Sequence, residues 1–276
     1  MKRNQFRTMS SLLAAALLSL SSCIKPGPII IPPAAHLARI TQLKGDSYYW
    51  SDSIAVNYNT KGYPVSLVPS VIATGTPQTL LMYDKQNRLI ANIGAYRIEE
   101  LGFEMAYKYL YDDHKNRITR DTCYVFGRYS STSTPIIQIG QAIRSTSYTY
   151  DDKNRIIKTV EKSLERGYGV VITKTYSYNA AGNAWKIHTT WEYPTDTTYN
   201  ASSDLYPQYD DKVNFHNLHA IWQFLDKDYS INNAFNATSY DLYGLPTAFD
   251  TNSDKDFMNT LGFPLLHTEI KYKYLP

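Results

Sequence analysis

Tyr150-Asp151-Asp152-Lys153-Asn154-Arg155-Ile156 is the stretch that decides the fold. It recurs as Tyr83-Asp84-Lys85-Gln86-Asn87-Arg88-Leu89 and as Tyr111-Asp112-Asp113-His114-Lys115-Asn116-Arg117-Ile118. Weaker copies begin at Tyr178 (YNAAGNAWKI), Tyr209 (YDDKVNF) and Tyr240 (YDLYGLP). From Tyr to Tyr the steps are 28, 39, 28, 31 and 31 residues. Asp or Asn after the Tyr opens a turn through hydrogen bonds from its side chain to the backbone. Asn or Gly further on tolerates a left-handed residue, and an apolar residue restarts a strand. The unit reads as a β-hairpin, repeated.

The flanking residues agree. Tyr107, Tyr109 and Tyr111 share one face of a strand, as do Tyr148 and Tyr150. Trp185, Ile187, Thr189, Trp191 and Tyr193 alternate with Lys186, His188, Thr190 and Glu192, which predicts one buried and one wet face. The closing strand, Ile270-Lys271-Tyr272-Lys273-Tyr274, alternates too, and its lysines would discourage pairing if it is an edge. One segment breaks the pattern. In 213–225 (VNFHNLHAIWQFL), Val213, Leu218, Ile221, Trp222 and Leu225 fall at helical spacing. The predicted fold is mainly β: a twisted antiparallel meander of about ten to twelve strands, curved or partly closed, with one short helix near 213–225. Away from the Tyr-Asp turns the connections are dissimilar (99–103, 127–135, 163–169 and 194–203). A binding surface is expected at that end.

Working outward to the termini, Lys2, Arg3 and Arg7 precede an apolar run at 11–20, which ends in Leu20-Ser21-Ser22-Cys23. This segment resembles the leader and lipobox of bacterial lipoproteins. The resemblance implies cleavage before Cys23, diacylation of its thiol and acylation of the new amine. The expected organisation is a leader over 1–22, a lipidated Cys23 with a Pro-rich tether over 23–37, and a single domain over 38–276. The 28 basic and 25 acidic residues become 25 and 25 once Lys2, Arg3 and Arg7 are removed. A net charge of zero argues against a nucleic-acid partner. With 43% apolar and 19% charged residues the chain is globular, and its 25 Tyr suit strands. Ile24 follows Cys23 where Asp would retain a Gram-negative lipoprotein at the inner membrane. By that resemblance the outer membrane is expected. No acidic cluster follows Cys23, which favours the periplasmic face over the cell surface.

The Y-D-x-x-N-R-[IL] unit resembles the YD repeats of the RHS family, which build β-sheet shells. The chain is also similar, over most of 40–276, to Bacteroidota outer-membrane lipoproteins that combine a lipobox, such hairpins, a YDDK segment before a short helix, and a closing Tyr/Lys strand. Here those parts are Cys23, Tyr83 to Ile156, Tyr209 to Leu225, and Tyr272 to Tyr274. The repeats are too few to enclose an RHS cocoon, and a toxin-like tail is lacking. The resemblance implies a fold and a location, not an activity.

Candidate chemistry is sparse. His216 and His219, three apart on the predicted helix, could share a metal, although capping or packing roles suit them better. The pairs Asp112/Asp113, Asp151/Asp152 and Asp210/Asp211 recur at equivalent turns, which favours structure over glycosidase catalysis. Asp250-Thr251-Asn252-Ser253-Asp254-Lys255-Asp256 resembles the start of a calcium loop, but Lys255 replaces the turn glycine and Leu261 the bidentate Glu. Cys123 sits in an apolar run with no His or cation beside it in sequence, and reads as a buried hydrophobe. No motif requires a cofactor or marks a catalytic residue. The expected function is that of a lipid-anchored cell-envelope lipoprotein, a non-enzymatic binding or structural module. Its partners would be the membrane, through the anchor, and a protein or glycan. A glycan-binding surface lipoprotein is the alternative, with Trp185 and Trp191 as candidate aromatics on a face assigned to the core. An envelope hydrolase would require carboxylates converging in a cleft.

Overall fold

The computed structural model describes residues 37–46, 51–96, 101–130, 137–165, 169–234, 236–250, 259–264 and 267–275. Cys23, the leader, the tether up to residue 36 and residues 251–256 of the calcium-like string lie outside them. In chain order the strands are β1 (Ala38–Asp46), β2 (Ser51–Tyr58), β3 (Pro64–Pro69), β4 (Gln78–Tyr83), β5 (Leu89–Ala95), β6 (Gly102–Asp112), β7 (Arg117–Tyr129), β8 (Ile137–Tyr150), β9 (Ile156–Ser163), β10 (Val171–Tyr178), β11 (Ala184–Glu192) and β12 (Ala201–Leu205). There follow β13 (Asn236–Tyr240), β14 (Pro246–Asp250), β15 (Asn259–Thr260), β16 (Phe263–Pro264) and β17 (His267–Tyr274). Fifteen of them form one antiparallel sheet in the order β12 back to β1, then β17, β14 and β13. The strands outnumber the ten to twelve expected, in part because β2 and β3 form a further repeat. Its turn, Tyr58-Asn59-Thr60-Lys61-Gly62-Tyr63, carries Asn for Asp and Gly for Asn. The closing strand is interior, held between β1 and β14, so its lysines guard no edge. The free edges are β12 and β13.

The turns share one set of bonds. At Asp84 the backbone N–H donates to Arg88 O (3.0 Å), and Oδ1 accepts the N–H groups of Gln86 and Arg88 (both 2.9 Å). Asp151 does the same with Lys153 and Arg155, Asn59 with Lys61 and Tyr63, and Asp241 with Tyr243 and Leu245. In the turns after Tyr58, Tyr83, Tyr150, Tyr178 and Tyr240 the fourth residue after the Tyr has positive φ (Gly62, Asn87, Asn154, Gly182 and Gly244), and after Tyr111 the fifth does, Asn116. Each of these positions takes the residue types that tolerate left-handed backbone.

A tyrosine ladder ties each turn to the one before. The hydroxyls of Tyr83, Tyr150, Tyr178, Tyr209 and Tyr272 donate to the carbonyls of Pro64, Ile118, Ile156, Ala184 and Pro246 at 2.7–3.1 Å. Each acceptor restarts the strand after an earlier turn. Burial raises the pKa of Tyr83, Tyr150 and Tyr178, so these phenols keep their protons. The turn arginines lie over the next rung. Arg88 covers Tyr111, Arg117 covers Tyr150 and Arg155 covers Tyr178, with the guanidinium carbon 3.9–4.9 Å from each ring centre.

The predicted helix is shorter than 213–225. A 3-10 turn spans Phe215–Leu218 and an α-helix, α1, spans Ala220–Asp226. They are separated at His219, whose extended backbone leaves its ring free to accept the Ile221 N–H (3.1 Å). Val213 stays outside, bridging Asn232. The segment 206–234 is a turn grown large. Asp210 N–H donates to Asn233 O, and Asn233 N–H donates to Asp210 Oδ1 (both 3.2 Å), the bonds that close the short turns. Where Asp84 and Arg88 are four apart, Asp210 and Asn233 are twenty-three apart. The chain between them fills one face of the sheet. The Trp222 indole lies close to Tyr58 of β2, while Phe224 meets the rings of Tyr109 on β6 and Tyr148 on β8 at 5.3 Å. In a flat sheet β2 and β8 would be about 29 Å apart. Two side chains two positions apart on one helix reach both, so the sheet curves around α1.

Candidate functional site

Behind the helix lies a buried polar knot. His216 is fully buried. Its Nε2 is 2.8 Å from Asp226 Oδ2, and its Nδ1 is 2.9 Å from Asn214 Oδ1 and 3.2 Å from Asp228 Oδ2. Burial alone would lower its pKa. Hydrogen bonds to Asp226 and Asp228 outweigh that and hold it up at about 9. Asp226 also accepts the N–H groups of Leu261 and Gly262 (2.6 and 2.9 Å). His219 faces away, edge-on to Tyr63, and burial with nearby Arg39 lowers its pKa to about 4. The two histidines do not converge; one anchors the insert and the other caps α1.

A second cluster sits under the end of α1. Asp121 is 3% exposed and accepts the Tyr148 hydroxyl, and burial raises its pKa. Lys227, in left-handed backbone, donates to the carbonyls of Phe224 (2.7 Å) and Leu225 (3.3 Å), and so caps the helix. Cys123 is buried as expected, but Arg144 lies close by across the strand pair. Burial still dominates and raises the thiol pKa, so the sulfur stays protonated.

One feature open to a ligand is a cleft of about 370 Å³ between the Asp112 and Asp151 turns and α1. Its apolar side is Ile221 and Phe224, its phenols are Tyr111, Tyr150 and Tyr229, and its polar rim includes Asn116, Arg117, Lys153, Asn154 and Gln223. One inserted residue creates its chemistry. Arg88 and Arg155 stand four after their Asp and are held by it at 2.6–2.8 Å. Arg117 stands five after Asp112, whose carboxylate, among the described residues, accepts only the His114 N–H (3.0 Å). Asp113 is taken by Arg88 of the previous turn (2.8 Å). Among the described residues Arg117 has no carboxylate partner. Its guanidinium lies over Tyr150, and its Nε is buried without a hydrogen bond. Lys153 has no ion-pair partner among those residues, and none of the lining residues is acidic. The longer turn was visible in the sequence as an eighth residue in the Tyr111 copy. That this residue would release an arginine into a cleft was not.

The recurrent carboxylates other than Asp152 are engaged at the turns. Asp112, Asp151 and Asp210 accept backbone N–H groups of their own turns. Asp113 pairs with Arg88, and Asp211 with Lys212 (2.8 Å). Asp250 belongs to β14 and is 2.5 Å from His267 Nδ1. Trp185 departs from the expected alternation. A bulge at Tyr178–Ala184 lets it turn outward, 47% exposed, with its ring 6.1 Å from Tyr206. Ile187 and Thr189 keep the buried face, and Trp191 is half-buried. Outward from the same strand, His188 and Lys186 pair with Asp204 at 2.6 and 2.9 Å.

No protein-family model matches the chain, and no curated protein matches it. Among solved structures it is similar to a porin-like protein from Bacteroides vulgatus, with 10% identity and a TM-score of 0.51 over 86% of this chain and 99% of that one. A DUF3836 family protein from the same species matches 37% of this chain and 99% of its own at 10% identity, with a TM-score of 0.23. The first likeness is one of fold, and it agrees with the antiparallel β architecture.

Proposed function

We propose that the chain is a lipid-anchored lipoprotein of a Gram-negative, Bacteroidota-type outer membrane, held on the periplasmic face. It works as a non-enzymatic binding module whose ligand seats in the cleft between the Asp112 and Asp151 turns and α1. The observation that carries this is Arg117, a turn arginine freed from its carboxylate and left on the wall of an aromatic cleft. Near the cleft, Asp112 and Asp151 are committed to turn bonds and Asp113 to Arg88, which supports binding without catalysis. The leader and Cys23 support the anchor. The neighbour with the similar fold is described as porin-like. A pore suits this chain poorly, because β12 and β13 leave the sheet open, and Lys158, Lys162, Thr175, Lys186 and His188 line the face opposite the core. A lipid-facing barrel carries an apolar band there.

Two measurements test the reading. Ligand-observed NMR of the full chain in detergent, against a panel of sugars and peptides, should find binders that Arg117→Ala weakens. Binders indifferent to that change would remove the cleft from the proposal. Separately, Cys23→Ala should leave the protein unprocessed or unanchored, and a normally processed, membrane-bound mutant would remove the anchor.

A further inference from the structure

We infer that the cleft recognises a hydroxylated carboxylate of one or two rings, a sugar acid. The inference rests on the cleft being the ligand site and names its chemistry. Among the described residues, five side chains at the cleft have no hydrogen-bond partner. Arg117 and Lys153 are cations without a carboxylate among the described residues. Among the described residues the amides of Asn116 and Asn154, both in left-handed backbone, make no side-chain hydrogen bond. The Tyr229 hydroxyl has no hydrogen-bond partner among the described residues, although burial strongly favours its protonated form. Contrast the neighbouring turn at Asn87, whose amide oxygen accepts from Lys61 (3.1 Å).

These groups divide into two kinds. Arg117 presents a planar, two-toothed donor, which matches a carboxylate, and Lys153 on the adjacent turn adds a second positive charge. The two amides and the phenol offer both donors and acceptors, which is what hydroxyl groups require and what a purely apolar acid would leave unpaired. Ile221 and Phe224 supply an apolar wall for the C–H face of a ring. A volume of about 370 Å³ lies at the small end of ligand sites, which limits the occupant to one or two rings. No acidic side chain lines the cleft to repel the anion.

The probes are galacturonate, digalacturonate and longer oligogalacturonates, with neutral galactose and galactobiose as their uncharged counterparts. They are titrated calorimetrically into the full chain in detergent at low salt. The expected result is saturable binding of the acids, at least about ten-fold tighter than the neutral sugars, and weakening with salt. Arg117→Gln should weaken the acid by about ten-fold to a hundred-fold, and Lys153→Gln, at an exposed position that leaves the fold intact, by about three-fold to ten-fold. Lys44→Gln, on β1 and away from the cleft, should change nothing. Preference for the monomer would identify a free sugar acid, and preference for the oligomers a unit within a polysaccharide.

Equal binding of neutral and acidic sugars, still weakened by Tyr229→Phe, would overturn the sugar-acid inference and leave the cleft as the site. Acid binding unaffected by both Arg117→Gln and Lys153→Gln would overturn the cleft itself. No binding of any uronate would overturn the inference outright.

Discussion

The turns at Asp151 and Asp210 are closed by the same bonds, yet three residues lie inside the first and twenty-two inside the second. In the first, everything needed is local. Asp151 holds Arg155, Asn154 supplies the left-handed residue, and Tyr150 reaches the previous hairpin. In the second, the same closure frames a segment whose position depends on remote partners. Asn183 Oδ1 accepts the N–H groups of Ile231 and Asn232 (2.9 and 3.0 Å), Phe215 stacks on Phe249 at 5.6 Å, and His216 is held between two carboxylates. The aspartate closes a turn whatever lies inside it. What lies inside is placed by the core.

If that division holds, the insert should lose most when its buried ion cluster is broken. Asp228→Ala leaves the His216 cation without one partner in a fully buried site, and is expected to cost about 4 kcal/mol in chemical denaturation. A loss below about 1 kcal/mol would mean that apolar packing alone holds the insert. The same cluster sets a pH dependence. His216 has a folded pKa raised to about 9 from an ordinary 6.5. Its contribution is therefore fully present below pH 6.5 and disappears as pH rises through 9, on the order of 3 kcal/mol. The thermal midpoint should fall over that range, and His216→Gln should flatten the fall. His219, lowered to about 4, has the opposite sign: its contribution is present above pH 6.5 and is lost as pH drops toward 4.

Asp210→Ala removes the acceptor for Lys212, Asn233 and Tyr240 and should cost about 3 kcal/mol, with loss of the near-ultraviolet signal of Trp222. Asp151→Ala should cost only about 1.5 kcal/mol and leave that signal intact. Equal costs would erase the distinction between the two turns. The smallest effect is expected at Asp112→Ala, about 0.5 kcal/mol, because that carboxylate does not reach Arg117. A cost matching that of Asp151→Ala would show that Arg117 is held after all, and would weaken the case for the cleft.

Glycine 182 joins the two regimes. Its φ of +91° belongs to the local turn, but a methyl there would lie 2.6 Å from Ile231 Cδ1 of the insert. Trp185, three residues later, shows the limit of periodic reading. Alternation assigns it to the core, and the bulge that follows the turn turns it outward. The cleft was less legible still. Its residues other than Tyr229 fall in the repeats or the helix pattern, but which arginine was free depended on a one-residue difference in turn length.

The repeat, its turn chemistry, the antiparallel meander and the presence of a helix were written in the sequence by itself. Each arises within a few consecutive residues, where Asp bonds its own backbone and side chains alternate along a strand. The tertiary structure alone decided where the sheet ends, that the closing strand lies inside it, how the helix is cut at His219, and that His216 is buried between Asp226 and Asp228. Those outcomes depend on bonds and packing between residues tens to hundreds of positions apart, and no local pattern encodes them.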